Sequence, residues 1–135
     1  AATYASYTNF TGSIEEFRHK DAVLRQHCTD IGRDQAQITR SSNFNTIIAS
    51  TEAEAADRLD AVIDRLTPHV GDEHAARIRH EYETSVGFGT PEQIIERLQA
   101  RRDAGLGYAI HYFPEAAYDR AGIELFEREV VPALA

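Results

Sequence analysis

The sequence predicts an α/β protein in which parallel strands alternate with amphipathic helices. Two observations lead to this prediction. Short runs of β-branched and aromatic residues recur between longer helical patterns, and three of those patterns open with a side chain that can cap a helix. Strands separated by helices of this kind pair in parallel. The predicted order is strand, helix, strand, helix, broken helix, helix, strand and helix.

The first half of the chain supplies two strand–helix units. Residues 7–10 form the first predicted strand, and Ser13-Ile14-Glu15-Glu16 is a capping box that opens a helix ending at Gly32. Ile14, Phe17, Leu24, Cys28 and Ile31 make its apolar stripe. The second predicted strand lies in the β-rich run 44–49. A second cap at Thr51 opens a helix that is expected to end at Thr67-Pro68.

Residues 67–86 are predicted to form a charged insertion within a single domain that spans residues 1–135. Turn signals precede a segment that is helical in propensity but has few apolar anchors. Its three histidines, His69, His74 and His80, do not share one helical face. No metal site is therefore expected there.

The last third of the chain is predicted to form a capped helix, a tight turn, a strand and a closing helix. Thr90-Pro91-Glu92-Gln93 is the third cap, and Gly105 ends its helix. The strand covers residues 108–113, and the closing helix covers 121–131 before Pro132 terminates it. This order is typical of the end of a β/α barrel, so we expect parallel strands with helices around them.

Composition narrows the classes of function. The chain has 135 residues, 42% of them hydrophobic and 27% charged, which is typical of one globular domain. A net charge of -8 disfavours nucleic acid as a partner, and no apolar run is long enough to span a bilayer. Cys28 is the only cysteine, so neither a disulfide framework nor a Cys-based zinc motif is expected. We expect a cytoplasmic protein that contacts no membrane.

Candidate site residues follow from the barrel geometry, because active sites form at the carboxyl ends of barrel strands. His111 lies in the last strand and is the candidate catalytic residue; the alternative is a hydrogen-bonded core position. Asn9 and Thr11 lie at the end of the first strand, and the Asn9 amide can both donate and accept hydrogen bonds towards a ring or a carbonyl. Asn9 could equally shape the turn before Gly12.

Gly87 and Gly89 form a G-x-G motif. They precede a helix N-terminus, where free amides and the positive end of the helix dipole can accept a phosphate. We therefore count both among the candidate cofactor-binding residues. The alternative is a turn-and-cap role before a helix that begins with proline.

Several blocks together resemble the bacterial luciferase-like superfamily. They are Y-A-S-Y-T-N-F-T-G, R-H-K-D-A-V-L-R-Q-H-C-T-D-I-G-R-D, E-A-E-A, G-T-P-E-Q-I-I-E-R-L and E-L-F-E-R-E-V-V-P-A-L, and their order and spacing run over nearly the whole chain. The resemblance is closest to the branch that uses a deazaflavin or FMN. It implies a (β/α)8 barrel of which this chain supplies about the last three β/α units, because a complete barrel takes about 250 residues.

The resemblance also implies an activity. Members use a deazaflavin (coenzyme F420) or FMN for hydride transfer or monooxygenation of a small organic substrate. Three parallel strands leave two open sheet edges and an uncovered inner face, so we expect a homo-oligomer or pairing with a missing N-terminal half-barrel. The alternatives are a non-catalytic half-barrel that self-associates and a small acidic interaction domain.

Overall fold

The structure is a computed structural model that describes residues 1–135. It contains four strands, six helices, one 3-10 turn and one π-helical turn. In chain order these are β1 (Tyr7–Asn9), α1 (Ile14–Asp30), the 3-10 turn (Gln35–Gln37), β2 (Thr39–Ile48), α2 (Glu52–Val70), α3 (Asp72–Glu83), β3 (Gly87–Gly89), α4 (Pro91–Asp103), β4 (Tyr108–Tyr112), α5 (Ala121–Leu125), the π-helical turn (Phe126–Val130) and α6 (Val131–Leu134).

Strand β2 is the partner of every other strand. Its first part pairs in parallel with β1, with Tyr7 opposite Thr39. Its last part pairs in parallel with β3, with Thr46 opposite Gly87. Strand β4 also pairs with β2. The predicted α/β class with parallel strands is therefore confirmed.

The chain divides into two compact units. The first comprises Ala1–Asn43 and Gln99–Ile110, and the second comprises Phe44–Leu98 and His111–Ala135. Both β2 and β4 supply residues to each unit. Because the division cuts through two strands, it does not test the expectation of one domain with an insertion at 67–86, which stays a prediction.

The apolar core of the first unit lies under α1. Leu24 and Cys28 of α1 pack with Ile38 and Ala2, and Phe10 adds to this cluster. The stripe predicted for α1 is confirmed except at its end. Ile31 is exposed because it is the C-cap residue, after which Gly32 takes a positive φ of 68° and turns the chain away.

A buried carboxylate organises the polar part of the first unit. The Asp21 side chain is 6% exposed, and its oxygens lie 2.9 Å from Arg25 and 3.2 Å from Arg40. Gln35 also donates to it at 2.8 Å. Asp21 thus ties α1 to the 3-10 turn and to the start of β2.

A second buried charge joins α4 to the turn before α1. The Arg101 guanidinium donates to the carbonyl oxygens of Gly12 at 2.8 Å and Ser13 at 3.3 Å. Burial lowers the pKa of Arg101, while Glu15 and Glu16 act in the opposite direction. These contacts hold the N-terminus of α1 in place.

The second unit has its own apolar core. Ile47 of β2 packs against Leu59, Val62 and Ile63 of α2, and Ala75 and Tyr82 of α3 complete the buried cluster. Burying each large side chain contributes about 1.5–3 kcal/mol. The few apolar residues of α3 thus pack it against α2.

Three predictions about the helices and strands are wrong. Strand β2 begins at Thr39 rather than near Phe44, because pairing with β1 extends it through a polar stretch. The G-x-G segment is a strand, β3, because it finds a partner in β2. Helix α2 continues through Pro68, which lies in its last turn, where a proline removes only one helical hydrogen bond.

The closing helix also differs from the prediction. It does not stop at Pro132 but passes through the π-helical turn, in which the amide of Val131 donates to the carbonyl of Phe126, five residues back. A proline ring clashes with the carbonyl four residues before it, so widening of the preceding turn accommodates Pro132.

Replacing Asp21 tests whether the buried carboxylate organises the first unit. We expect Asp21→Ala to lower the free energy of unfolding by about 2–4 kcal/mol, because Arg40 and Gln35 lose a buried acceptor. Arg25→Ala is the matched control; its side chain is 66% exposed, so it should cost less than about 1 kcal/mol. Urea denaturation measures both, and equal losses would contradict the assignment.

Candidate functional site

His111 lies on β4 and belongs to the second unit. Its Nδ1 is 2.8 Å from the hydroxyl oxygen of Thr46 on β2. Three aromatic rings contact the imidazole, with centroid distances of 4.5 Å to Phe126, 5.4 Å to Phe44 and 6.4 Å to Phe113. Its other nitrogen, Nε2, is buried and has no hydrogen-bond partner. The site therefore holds one anchored and one unused imidazole nitrogen.

Burial lowers the pKa of His111 from 6.5 to about 4. Desolvation is the cause, since the residues around the ring, Thr46 and three phenylalanines, are uncharged. The imidazole is neutral at pH 7 and can accept or donate one hydrogen bond at Nε2.

Gly87 lies on the other side of the same threonine. A Cβ at this position would come within 2.4 Å of the Thr46 hydroxyl oxygen and 2.6 Å of the Asn45 carbonyl oxygen. Two predicted site residues, His111 and Gly87, thus meet at Thr46. Sequence reasoning missed Thr46, Phe44 and Phe126, because Thr46 and His111 are 65 positions apart and reach each other only through pairing of β2 and β4.

Gly89 lies at the start of α4, next to a reciprocal cap. The amide of Thr90 donates to the Gln93 side chain at 3.1 Å, and the amide of Gln93 lies 3.5 Å from the Thr90 hydroxyl. The Gln93 amide group also contacts the carboxylate of Glu52. The chain's own groups therefore take up two of the amides that a phosphate would use, and a cofactor contact at Gly87 or Gly89 stays a prediction.

Asn9 and Thr11 lie at the end of β1, in the first unit. Both residues are exposed. The neighbouring backbone is held, since the amide of Phe10 donates to Ser41 at 2.8 Å and Lys20 donates to the Thr11 carbonyl at 2.7 Å. This arrangement presents the Asn9 amide to solvent from a fixed backbone. Its binding role stays a prediction.

A charged groove of about 370 Å³ lies beside α2 in the second unit. Arg58 is 3.6 Å from Glu115 and 3.2 Å from Asp119, and Arg65 stacks 3.6 Å above the centre of the Tyr118 ring. Burial raises the pKa of Glu115, and Arg58 opposes that shift. Because Arg58 and Arg65 already have partners, we assign a structural role to this groove.

The Gly89 cap gives a test of the local geometry. We expect Gly89→Ala to cost about 1–3 kcal/mol, because φ is +125°, a conformation that L residues rarely adopt, and the added Cβ would displace the end of the Gln93 side chain from the cap. Gly32→Ala is the control, since φ is +68° and no atom lies within 4 Å of the new Cβ. Thermal unfolding followed by circular dichroism should show the smaller loss for the control. The reverse order would count against the cap.

The neutral His111 predicts how stability depends on pH. Between pH 6.5 and about 4 the unfolded chain binds a proton at this histidine and the folded chain does not, so stability falls as the pH is lowered through this range. The loss reaches up to about 3 kcal/mol at pH 4. We expect His111→Leu to flatten this part of the profile in urea denaturation, and an unchanged slope would refute the assignment.

No protein-family profile and no curated protein matches the sequence. None of the helices combines the length and apolar character needed to cross a membrane. Solved structures do match the fold, although their sequences are only 13–18% identical to this one.

Three of these structures illustrate the likeness. The coenzyme F420 dependent tetrahydromethanopterin reductase from Methanopyrus kandleri has a TM-score of 0.69 and 14% identity, over 99% of this chain and 47% of that chain. EDTA monooxygenase from Chelativorans sp. BNC1 has a TM-score of 0.69 and 18% identity, over 98% and 42%. The oxygenating constituent of 3,6-diketocamphane monooxygenase from Pseudomonas putida, in complex with FMN, has 0.65 and 17%, over 94% and 42%.

The matches cover nearly all of this chain but less than half of each solved structure. Identities this low establish a shared fold and nothing more. The predicted architecture is confirmed at that level: the chain has an α/β fold with parallel strands that matches part of the (β/α)8 barrel of these structures.

Proposed function

We propose that this chain is a segment of a luciferase-like oxidoreductase that acts in the cytoplasm on a small organic substrate. A deazaflavin (coenzyme F420) or FMN would supply the hydride transfer or oxygen activation. The observation that carries the proposal is the likeness of the whole chain to an F420 dependent reductase and to a monooxygenase in complex with FMN.

The proposed site residues fit this role to different degrees. Asn9 and Thr11 offer exposed polar groups at the end of a strand, where barrel enzymes bind their ligands. His111 offers a neutral imidazole with an unused Nε2. Gly87 and Gly89 are weaker candidates, because the cap of α4 and the Glu52 carboxylate lie beside them.

The proposal assigns the catalytic role to His111. A neutral imidazole can hold a substrate group by hydrogen bonding or accept its proton, and a pKa of about 4 makes it a weak base at neutral pH. We therefore propose that His111 orients the substrate or cofactor through Nε2 rather than carrying a full positive charge.

We further propose that the chain works together with the rest of a barrel. In the first unit, Tyr7 of β1 and Tyr108 of β4 stack edge to face at 6.4 Å, yet they are 64% and 55% exposed. Exposed aromatic pairs on strands are typical of surfaces that a partner covers. The comparisons favour an N-terminal half-barrel over a self-associating, non-catalytic half-barrel, because the matched chains are more than twice as long.

The native protein tests the proposed function directly. We expect its intact mass to be near twice the 15.1 kDa of this chain, and the purified protein to change the fluorescence of F420 or of FMN on titration. Apomyoglobin or another protein without a flavin site serves as a control for non-specific quenching. A native protein that binds neither cofactor would refute the proposal.

Asn9 can be tested in the same titration. We expect Asn9→Ala to weaken cofactor binding about tenfold, the cost of one hydrogen bond to a bound ring. Gln99→Ala is the matched control, because Gln99 is an exposed amide on α4, and it should leave the dissociation constant unchanged. Equal affinities of the Asn9 variant and the unmodified protein would remove Asn9 from the site.

A further inference from the structure

We propose that Thr46 is a positioning residue that keeps the proton of His111 on Nδ1 and thereby leaves Nε2 as a hydrogen-bond acceptor for an N–H or O–H group of a ligand. The inference rests on the proposed function only in that it takes the ligand of His111 to be the substrate or cofactor. The state of the imidazole itself follows from contacts within the second unit.

The single hydroxyl hydrogen of Thr46 determines which nitrogen of His111 carries the proton. The Thr46 hydroxyl oxygen is 3.3 Å from the Phe44 carbonyl oxygen and 2.8 Å from Nδ1 of His111. A carbonyl oxygen can only accept, and a hydroxyl has one hydrogen to donate. Both contacts are hydrogen bonds only if Thr46 donates to Phe44 and His111 donates from Nδ1. The neutral imidazole then carries no hydrogen on Nε2.

Gly87 restrains the position of the Thr46 hydroxyl. Gly87 lies opposite Thr46 in the β2–β3 pairing, and a Cβ there would approach the threonine hydroxyl oxygen to 2.4 Å. Thr46 is itself completely buried. The missing side chain of Gly87 thus makes the space that this hydroxyl occupies. Gly87 acts through Thr46, a role different from phosphate binding.

Nε2 of His111 lacks a hydrogen-bond partner. This atom is buried among the rings of Phe44, Phe113 and Phe126 without a donor. An unsatisfied buried polar atom destabilises the folded protein, so a ligand that donates to it recovers free energy. Phe44 is held in β2 and Phe126 in the closing helical segment, whereas Phe113 follows β4 outside any helix or strand. Phe113 is therefore the ring least restrained by secondary structure.

The experiment reads the tautomer of His111 by long-range proton–nitrogen NMR on the native protein labelled with ¹⁵N-histidine. His111→Gln identifies the His111 signals. At pH 7 we expect the unmodified protein to show a protonated Nδ1 and an unprotonated Nε2. Thr46→Ser retains the hydroxyl and should keep this pattern, while Thr46→Val should shift the population towards the Nε2–H form that free histidine prefers.

The role of Nε2 is tested by adding FMN or F420 to the same labelled sample. We expect the Nε2 resonance to move upfield when a donor binds, with Nδ1 still protonated. An Nε2–H tautomer in the unmodified protein would overturn the inference. It would also be overturned if Thr46→Val left the tautomer unchanged, or if bound FMN or F420 left the Nε2 resonance unmoved.

The outcomes separate this inference from the proposed function. Binding of neither cofactor, together with the Nδ1–H tautomer and its loss in Thr46→Val, would refute the oxidoreductase and retain Thr46 as the positioning residue. Cofactor binding by a protein with the Nε2–H tautomer would support the oxidoreductase and refute the positioning role of Thr46. Should Thr46→Val fail to fold, the tautomer of the unmodified protein and of Thr46→Ser still decides.

Discussion

Strand β2 is the element on which the rest of the structure depends, because all three other strands pair with it. A strand in this position has partners for its backbone groups and must satisfy neighbours on both faces. Its sequence reflects that demand. The part that pairs with β1 is polar, with the Ser41 and Ser42 hydroxyls donating to the carbonyls of Thr8 and Phe10, and the part that pairs with β3 is apolar apart from Thr46.

The buried polar groups explain how such a strand is tolerated. In the first unit Asp21 is surrounded by Arg25, Arg40 and Gln35, so the desolvation of one carboxylate is offset by several charge-assisted contacts. In the second unit Thr46 satisfies one nitrogen of His111 and no group satisfies the other. Complete pairing is typical of structural sites, while an orphaned buried atom calls for an explanation. Nε2 of His111 is such an atom, whereas both Asp21 oxygens lie within 3.2 Å of an arginine nitrogen.

The comparisons constrain the fold more strongly than the chemistry. Structures that share less than a fifth of their residues with this chain superpose on nearly all of it, and they include a reductase and two monooxygenases. One barrel fold can host many reactions, because the reacting groups sit on the ends of its strands and not in the packing that defines the fold. The individual side chains at those ends therefore determine which reaction a barrel catalyses.

The sequence by itself determined the alternation of strands and helices, the class of the sheet and the places where helices begin. Ser13 with Glu16 and Thr90 with Gln93 form the reciprocal caps that their spacing predicts, because such caps are made within four residues of chain. His111, Asn9 and Gly87 could be proposed from their positions in the predicted elements. Where β2 begins could not, since its polar residues 39–43 show no strand pattern.

Only the tertiary structure decided which residues meet. Pairing of β2 with β3 and β4 brings Thr46 between Gly87 and His111, and no local pattern encodes a contact across 65 positions. The same holds for the strand character of Gly87–Gly89, which depends on a partner and not on propensity, because glycine by itself disfavours strands. Local sequence signals determine where the helices and strands lie along the chain, and long-range strand pairing determines which functional side chains meet.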